Sequence, residues 1–378
     1  MKDVVLFIAG AEPLRLPATP RLYVVKPVGA AVNVQSDGPM SLLIVDEMTV
    51  GCVVDRLEAE GLAGQVARVV CVDEQYILVA AKIREALGVV GQSFMSARAF
   101  RNKFFMKEFL KTAEHFTLPR YWSPIQRKDV AAVFGDASGG RIVRKPILGS
   151  GGMEVAIAEN LQAIGEVAQD EMLESFVDLP MLHVDGLIVG GEVRFFVVSK
   201  YINFCLSFTD FKYVGSEFSH DARLNARAER AMREIFQLLP SFQDGAFHLE
   251  MFYSDTEMVF CEIASRPGGI GIVRALEEAY GINLYRAAFL AQCGRPVELP
   301  SMRRAETSWL LVPHGVSLDI DAGRLGSLPW LVEFFVAEEG RERSLHCADG
   351  KFKAVLKGDS LSEVVERRCE LLASIGYA

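Results

Sequence analysis

The chain has 378 residues, 50% of them hydrophobic and 24% charged, with a formal net charge of −9. That balance describes a folded globular protein of two or three domains rather than a disordered chain. An acidic chain without a long Lys/Arg run excludes a general nucleic-acid binder, which needs concentrated positive charge, and no stretch is long and apolar enough to imply a membrane partner.

The N-terminal MKDVVLFIAGAEP is interrupted too soon for a signal peptide. Seven cysteines, at 52, 71, 205, 261, 293, 347 and 369, form no C-x-x-C pair. They are expected to be reduced, small and apolar, as in a cytoplasmic protein.

In chain order, VVLFIAG (4–10), SLLIVDE (41–47) and ARVVCVD (67–73) predict buried strands of a small parallel α/β unit ending near residue 95. EQYILVAAKIREALG predicts a helix over 74–88 stopped by Gly88, and ARAFRNKFFMKEFLKTAEHF one amphipathic helix over 97–116. From 141 the pattern turns to strands: RIVRKP, MEVAIA, LESFVD, HVDGLIVG and EVRFFVVSKYINF. A charged helix over 221–239 follows, then a hairpin, a helix from about Gly271, and a linker over 295–308. Strands at WLLVP, LVEFFVAE and FKAVLKG precede a last helix that opens with the capping box Ser360 and Glu363.

The hairpin, HLEMFYSDTEMVFCEI (248–263), raises an electrostatic question. Two alternating runs flank the turn residues Ser254, Asp255 and Thr256, and a turn centred on Thr256 pairs Phe252 with Phe260 and Glu250 with Glu262. Opposed residues on one face have Cβ atoms about 5 Å apart, where like charges are destabilising. A solvated face, a shared proton or a bound cation could each compensate. The shared proton is also the spacing of a retaining glycosidase.

Two further segments bear on the choice. RKPILGSGGMEV places Lys145 before Gly149, Ser150, Gly151 and Gly152, a turn whose backbone amides can approach phosphate oxygens. It is not a P-loop, since no Gly-Lys-Ser/Thr leads into a helix; by itself it reads equally as a glycine-rich hairpin. EIASRPGGIGI places Arg266 four residues after Glu262 and two glycines before a helix that can receive an anion. A cation site beside an anion site suggests metal-bound phosphate.

These segments, in this order, resemble the ATP-grasp superfamily, most of all its carboxylate-amine ligases, the relatives of amino-acid ligases and biotin carboxylase. The resemblance rests on Lys103 in RNKFFMK, Lys145 before GSGGM, LESFV followed by HVDGLIVGGEV, HLEMF and CEIASRPGG, and spans roughly residues 1–375. It implies an α/β and α+β protein: a Rossmann-like pre-ATP-grasp domain over 1–95, a small lobe with the glycine flap over 96–180, and a large lobe over 181–378 with a C-terminal subdomain from about 305. It further implies that ATP and Mg²⁺ (or Mn²⁺) bind between the lobes and that a substrate carboxylate becomes an acylphosphate that an amine attacks. Lys103 and Lys145 would hold phosphates, and Gly149, Ser150, Gly151 and Gly152 would cover them. Glu174, Phe176 and Val177 would form the adenine hinge, with His183 toward the ribose. Glu250 and Glu262 would bind the metal and Arg266 would steady the transferring phosphoryl group or the acylphosphate.

Two positions depart from the family pattern. Ala264 stands where many members have a further metal-binding asparagine, and Met181 where a ribose-binding glutamate is frequent, leaving His183 or Asp185 for that contact. The implied substrates are a small-molecule carboxylate, such as an amino acid, and an amine, with a carrier-protein thiol as another acceptor class and a homodimer by analogy. The substrate side is assigned to the C-terminal lobe and the loop FTDFKYVGSEFSHD (208–221). Competing readings are a bicarbonate-activating carboxylase, a small-molecule kinase and a non-catalytic ATP-binding subunit.

Overall fold

The structure is a computed structural model and describes residues 2–8, 10, 13–126, 129–135, 140–203, 210–338 and 349–377. Residues 208 and 209 of the expected substrate loop, and Cys205 and Cys347, lie outside them.

The N-terminal sheet is parallel throughout, in the order Met40–Val45, Arg21–Pro27, Val4–Ile8, Val66–Cys71. The strand Arg21–Pro27 adds to the three the sequence pattern suggested, and lies between two of them. Val4, Leu6 and Ile8 are fully buried against Val53, Leu57 and Ala81 of the covering helices, as a parallel sheet faced by helices requires. The helix Ile77–Leu87 starts three residues later than expected, because Asp73 uses its carboxylate to close a turn onto Gln75 N (2.8 Å). Gly88 ends it in the left-handed conformation, φ 61°.

The single helix expected over 97–116 is two, Phe94–Ala99 and Lys103–Phe109. Asn102 stops the first turn series and caps the second helix, its side chain accepting from Phe105 N at 2.9 Å, while Lys103 N donates to Ile147 O at 3.0 Å. The new helix start points its first turn at the segment leading into the glycine-rich loop. Lys103 and Lys107, four residues apart, share one face.

Next comes a four-stranded antiparallel sheet in the order Tyr121–Trp122, Glu171–Ser175, Ile142–Pro146, Ala156–Ala158. The largest sheet has eight antiparallel strands: Met258–Ala264, Gly245–Tyr253, Met181–Val189, Glu192–Tyr201, Val214–Phe218, Glu306–Pro313, Gly350–Gly358, Leu331–Val336. Residues 306–308, expected in a linker, are its buried strand positions, so the C-terminal strands extend this sheet instead of forming one of their own. The helix Ala222–Leu238, capped by Asp221, buries Leu224, Ala228, Ala231, Met232 and Ile235 beneath it, a spacing of one helical face.

The hairpin keeps the Glu250–Glu262 pairing but not that of Phe252 with Phe260: a bulge after Glu250 pairs Met251 with Phe260 and Phe252 with Val259. Cys261 is the extra residue. Phe260 is thereby kept in the core with Leu249 and Met251, while Phe252 and Val259 pack with Met181 on the opposite face.

Gly186 lies at one of the tightest approaches in this sheet. A Cβ there would meet Phe195 O at 2.4 Å and the Phe247 ring at 2.5 Å. Gly186→Ala is expected to lower stability by about 1–3 kcal/mol, read as a lower urea midpoint with an unchanged slope.

Candidate functional site

A cleft opens between the four-stranded sheet and the hairpin, lined by both charged and apolar side chains as small-ligand sites are. Lys103, Lys145, Glu174, Glu250 and Glu262 give it charge; Gly149, Ser150, Gly151 and Gly152 form one wall, and Phe176, Val177, Met181 and Phe252 another. Gly151 and Gly152 sit at φ 60° and 70°, which glycine adopts freely.

Three lysines enter, Lys103 and Lys107 from the helix Lys103–Phe109 and Lys145 from the strand Ile142–Pro146, and two carboxylates answer them. Lys103 Nζ lies 3.0 Å from Glu262 Oε2 and donates to Gly149 O at 2.5 Å. Glu174 bridges the others, with Oε1 2.8 Å from Lys107 Nζ and Oε2 2.9 Å from Lys145 Nζ. Lys107, wholly buried, also donates to Cys261 O at 3.0 Å, catching the carbonyl of the bulged residue.

Burial opposes every one of these charges, and the partners decide the outcome. Desolvation raises the Glu174 carboxyl, but Lys107 and Lys145 together hold it below its ordinary value. Glu262, raised by burial, is brought down to about 2 by Lys103 and Lys145. Lys145 loses by burial and gains more from Glu174, ending raised, whereas burial prevails at Lys107 and lowers it.

Glu250 and Glu262 stand opposite one another as the hairpin requires. Glu250 Oε1 accepts from Tyr201 Oη at 2.5 Å and lies 3.4 Å from His248 Nε2. His248 is pushed down by burial and raised more strongly by Asp185, to about 10, so it remains an imidazolium at neutral pH. Among the described residues, Glu250 Oε2 and Glu262 Oε1 have no protein partner. Two hard carboxylate donors on one face, each with a spare oxygen, fit a magnesium-type cation that takes its remaining ligands from elsewhere.

Glu174, Phe176 and Val177 line the cleft as expected, while His183 and Arg266 do not. The Glu174 side chain holds lysines with both oxygens, leaving its backbone for an adenine; Phe176 and Val177 present apolar edges to the cleft, and Phe176 N donates to Arg141 O at 2.9 Å. His183 does not line the cleft. It is 1% exposed, with Nδ1 2.5 Å from Asp185 and Nε2 2.8 Å from Ser216, so both ring nitrogens are used inside the sheet. Arg266 likewise stands outside the cleft lining: it donates twice to Glu74 Oε2, at 2.8 and 2.5 Å, and to Pro267 O at 2.8 Å. Arg101 reaches the same Glu74 carboxylate at 3.5 Å and donates to Gly149 O at 3.2 Å, linking this cluster to the glycine turn.

Sequence reasoning missed Lys107, Glu74, Arg101, Tyr201 and His248. Lys107 carried a signal, four residues after Lys103. His248 and Glu250 alternate along one strand, so they share a face, and Arg101 opens the RNKFFMK segment that carries Lys103; Glu74 and Tyr201 come from distant segments and carried no local sign.

Residues 100–270 match the ATP-grasp domain family. The L-arginine-specific L-amino acid ligase of Bacillus subtilis is 29% identical over 266 residues, which are 65% of this chain and 62% of that enzyme. In fold, the L-amino acid ligase of Bacillus licheniformis superposes with a TM-score of 0.76 at 15% identity, covering 99% of this chain and 98% of that one. Carboxyaminoimidazole ribonucleotide synthase of Aspergillus clavatus, solved with ATP, gives 0.71 at 15% identity over 99% and 98%. The fold is therefore the one these solved ligases share, and residues 100–270 match the ATP-grasp domain family.

The buried Lys107–Glu174–Lys145 bridge has a measurable consequence. A carboxyl held below the ordinary 4.5 contributes stability that is complete above that value and is lost as pH falls through the lower folded one. Glu174→Gln, which leaves two buried cations unpaired, should cost roughly 3–5 kcal/mol at pH 7. In urea titrations the gap between wild type and variant should narrow below pH 4.5; a constant gap would contradict the bridge.

Proposed function

We propose that the protein is an ATP-dependent, ADP-forming ligase that activates the carboxylate of an amino acid or similar small metabolite and joins it to an amine as an amide. The observation that carries this is the pair of spare carboxylate oxygens on Glu250 and Glu262, in a cleft that also collects Lys103 and Lys145 beside a glycine-rich turn. The amino-acid ligase relative supports the choice of an amino acid as the carboxylate.

In this proposal the small lobe, 96–180, and the large lobe, from 181, hold the nucleotide between them. A magnesium or manganese ion held by Glu250 and Glu262 would supply positive charge against the phosphates. Lys145 is kept charged by Glu174 and aimed at the phosphates. Lys103 exchanges its bond to Gly149 O for a phosphate oxygen, which releases the turn over residues 149–152 to close and exclude water. Val177, Met181 and Phe252 offer the base an apolar slot. Arg266, beside Glu262 and held by Glu74, is assigned to the acyl side.

The chemistry then follows in two displacements. A substrate carboxylate oxygen bonds to the γ-phosphorus as the β–γ bridging oxygen leaves with ADP. The amine adds to the acyl carbon, inorganic phosphate departs with the C–O bonding pair, and the amine's proton passes to solvent or a nearby base. Alignment and charge neutralisation do most of the work of phosphoryl transfer, which the lysines and carboxylates are placed to supply. We also assign the protein to a reducing cytoplasm, in keeping with five unpaired cysteines among the described residues.

An ADP-release screen over pairs of amino acids and amines with Mg²⁺, with products identified by mass, tests this. An amide plus one ADP per turnover is expected. A stable phosphorylated product would mean a kinase, turnover with bicarbonate alone a carboxylase, a thioester a carrier-protein acceptor, and nucleotide binding without turnover a silent subunit. Glu262→Gln should reduce turnover by at least about 100-fold, a loss of roughly 2.7 kcal/mol in transition-state stabilisation, with an unchanged circular-dichroism spectrum.

A further inference from the structure

Beneath the cleft runs a chain of buried polar groups that the proposed reaction does not use directly. Strand pairing sets His183 opposite Glu250 and Asp185 opposite His248, and alternation puts all four side chains on one face of the large sheet. Asp185, 1% exposed, has both oxygens engaged: Oδ1 lies 2.9 Å from His248 Nδ1 and Oδ2 2.5 Å from His183 Nδ1. His183 is anchored in turn through Nε2 to Ser216 Oγ, at 2.8 Å. The loop after Glu262 closes on the same carboxylate, since a Cβ on Gly268 would come within 2.4 Å of Asp185 Oδ1. Asp185 therefore has no freedom to turn.

The fixed end lies at Asp185 and the adjustable end at Glu250. His248, gripped at Nδ1, presents Nε2 to Glu250 Oε1 at 3.4 Å, and Tyr201 donates to the same oxygen at 2.5 Å. Both contacts fall on Oε1 and neither on Oε2. A glutamate on a strand has three side-chain torsions, and two clamps on one oxygen remove most of that freedom while keeping the second oxygen available. Outer groups that hold ligating side chains in this way commonly govern metal affinity by one to two orders of magnitude.

We infer that Asp185, His248 and Tyr201 are positioning residues that orient the Glu250 carboxylate for its cation. This rests on the ion site of the proposed function. His183, Asp185 and His248 have ligand atoms within 4.8 Å of one another, but their spacings are those of hydrogen bonds, so they act as a relay and not as a second metal site.

The test uses the full-length protein with Mn²⁺ as probe. Its affinity is measured by electron paramagnetic resonance at saturating ADP, and ADP affinity is measured separately in EDTA. His248→Gln and Asp185→Asn should each weaken Mn²⁺ binding about 10-fold or more, and Tyr201→Phe several-fold, with ADP affinity in EDTA unchanged. Tyr201→Phe, a partly exposed site, decides the matter if the buried variants fail to fold. Folded variants with wild-type Mn²⁺ affinity would overturn the relay and leave the ligase reading standing. Wild type that binds no Mn²⁺ with ADP would overturn the ion site itself. A transition metal that co-purifies and survives EDTA would replace the relay with a metal centre.

Discussion

Two carboxylates that the backbone forces together set the terms for the rest of this molecule. Like charges directly opposed across a strand pair, with Cβ atoms about 5 Å apart, are destabilising. The protein offsets this without a ligand. Lys103 takes one oxygen of Glu262, while Tyr201 and His248 take one oxygen of Glu250. The compensation is incomplete: each glutamate keeps an oxygen with no protein partner among the described residues, and it is these oxygens that the proposed cation would occupy.

The same logic of charge inside a fold explains the neighbouring lysines. Lys107 and Lys145 could not remain buried and charged alone. Glu174 bridges them, and the bulge at Cys261 gives Lys107 a carbonyl as well. Without the bulge, strict alternation would have placed Phe260 and Glu262 on one face. With it, Phe260 is kept in the core while Cys261 and Glu262 both line the cleft. A backbone irregularity thus reconciles a hydrophobic core with a charged site, and the break between Phe94–Ala99 and Lys103–Phe109 does the same for the lysines opposite.

How much of this could be read from the sequence follows from the range of each interaction. The Glu250–Glu262 pairing was legible because a hairpin register depends on a local turn, and so were the caps at Gly88 and Ser360. The bulge was not, because it depends on what Phe260 packs against. The helix break at Asn102 depends on a backbone bond from Lys103 to Ile147. The cleft lysines, glycines and the 174–177 segment lie where the sequence placed them, whereas the His183 and Arg266 side chains are held away from the cleft by Asp185 and Ser216 and by Glu74. Lys107, Ser216 and Glu74 carry no motif near the residues they hold, whereas Asp185 stands two residues from His183 on the same strand face and was legible as its partner. The strand Arg21–Pro27 was missed because only part of it is fully buried, its pattern being mixed.

The central claim is that the facing glutamates hold a cation whose other ligands come from a nucleotide. A crystal structure of the protein grown with Mn²⁺ and a non-hydrolysable ATP analogue measures this most directly, through the anomalous signal of the ion. The account predicts one strong peak bonded to oxygens of Glu250 and Glu262 and to the phosphates, with Lys145 on the phosphate chain. A nucleotide bound away from the hairpin, or an ion that touches neither glutamate, would contradict it.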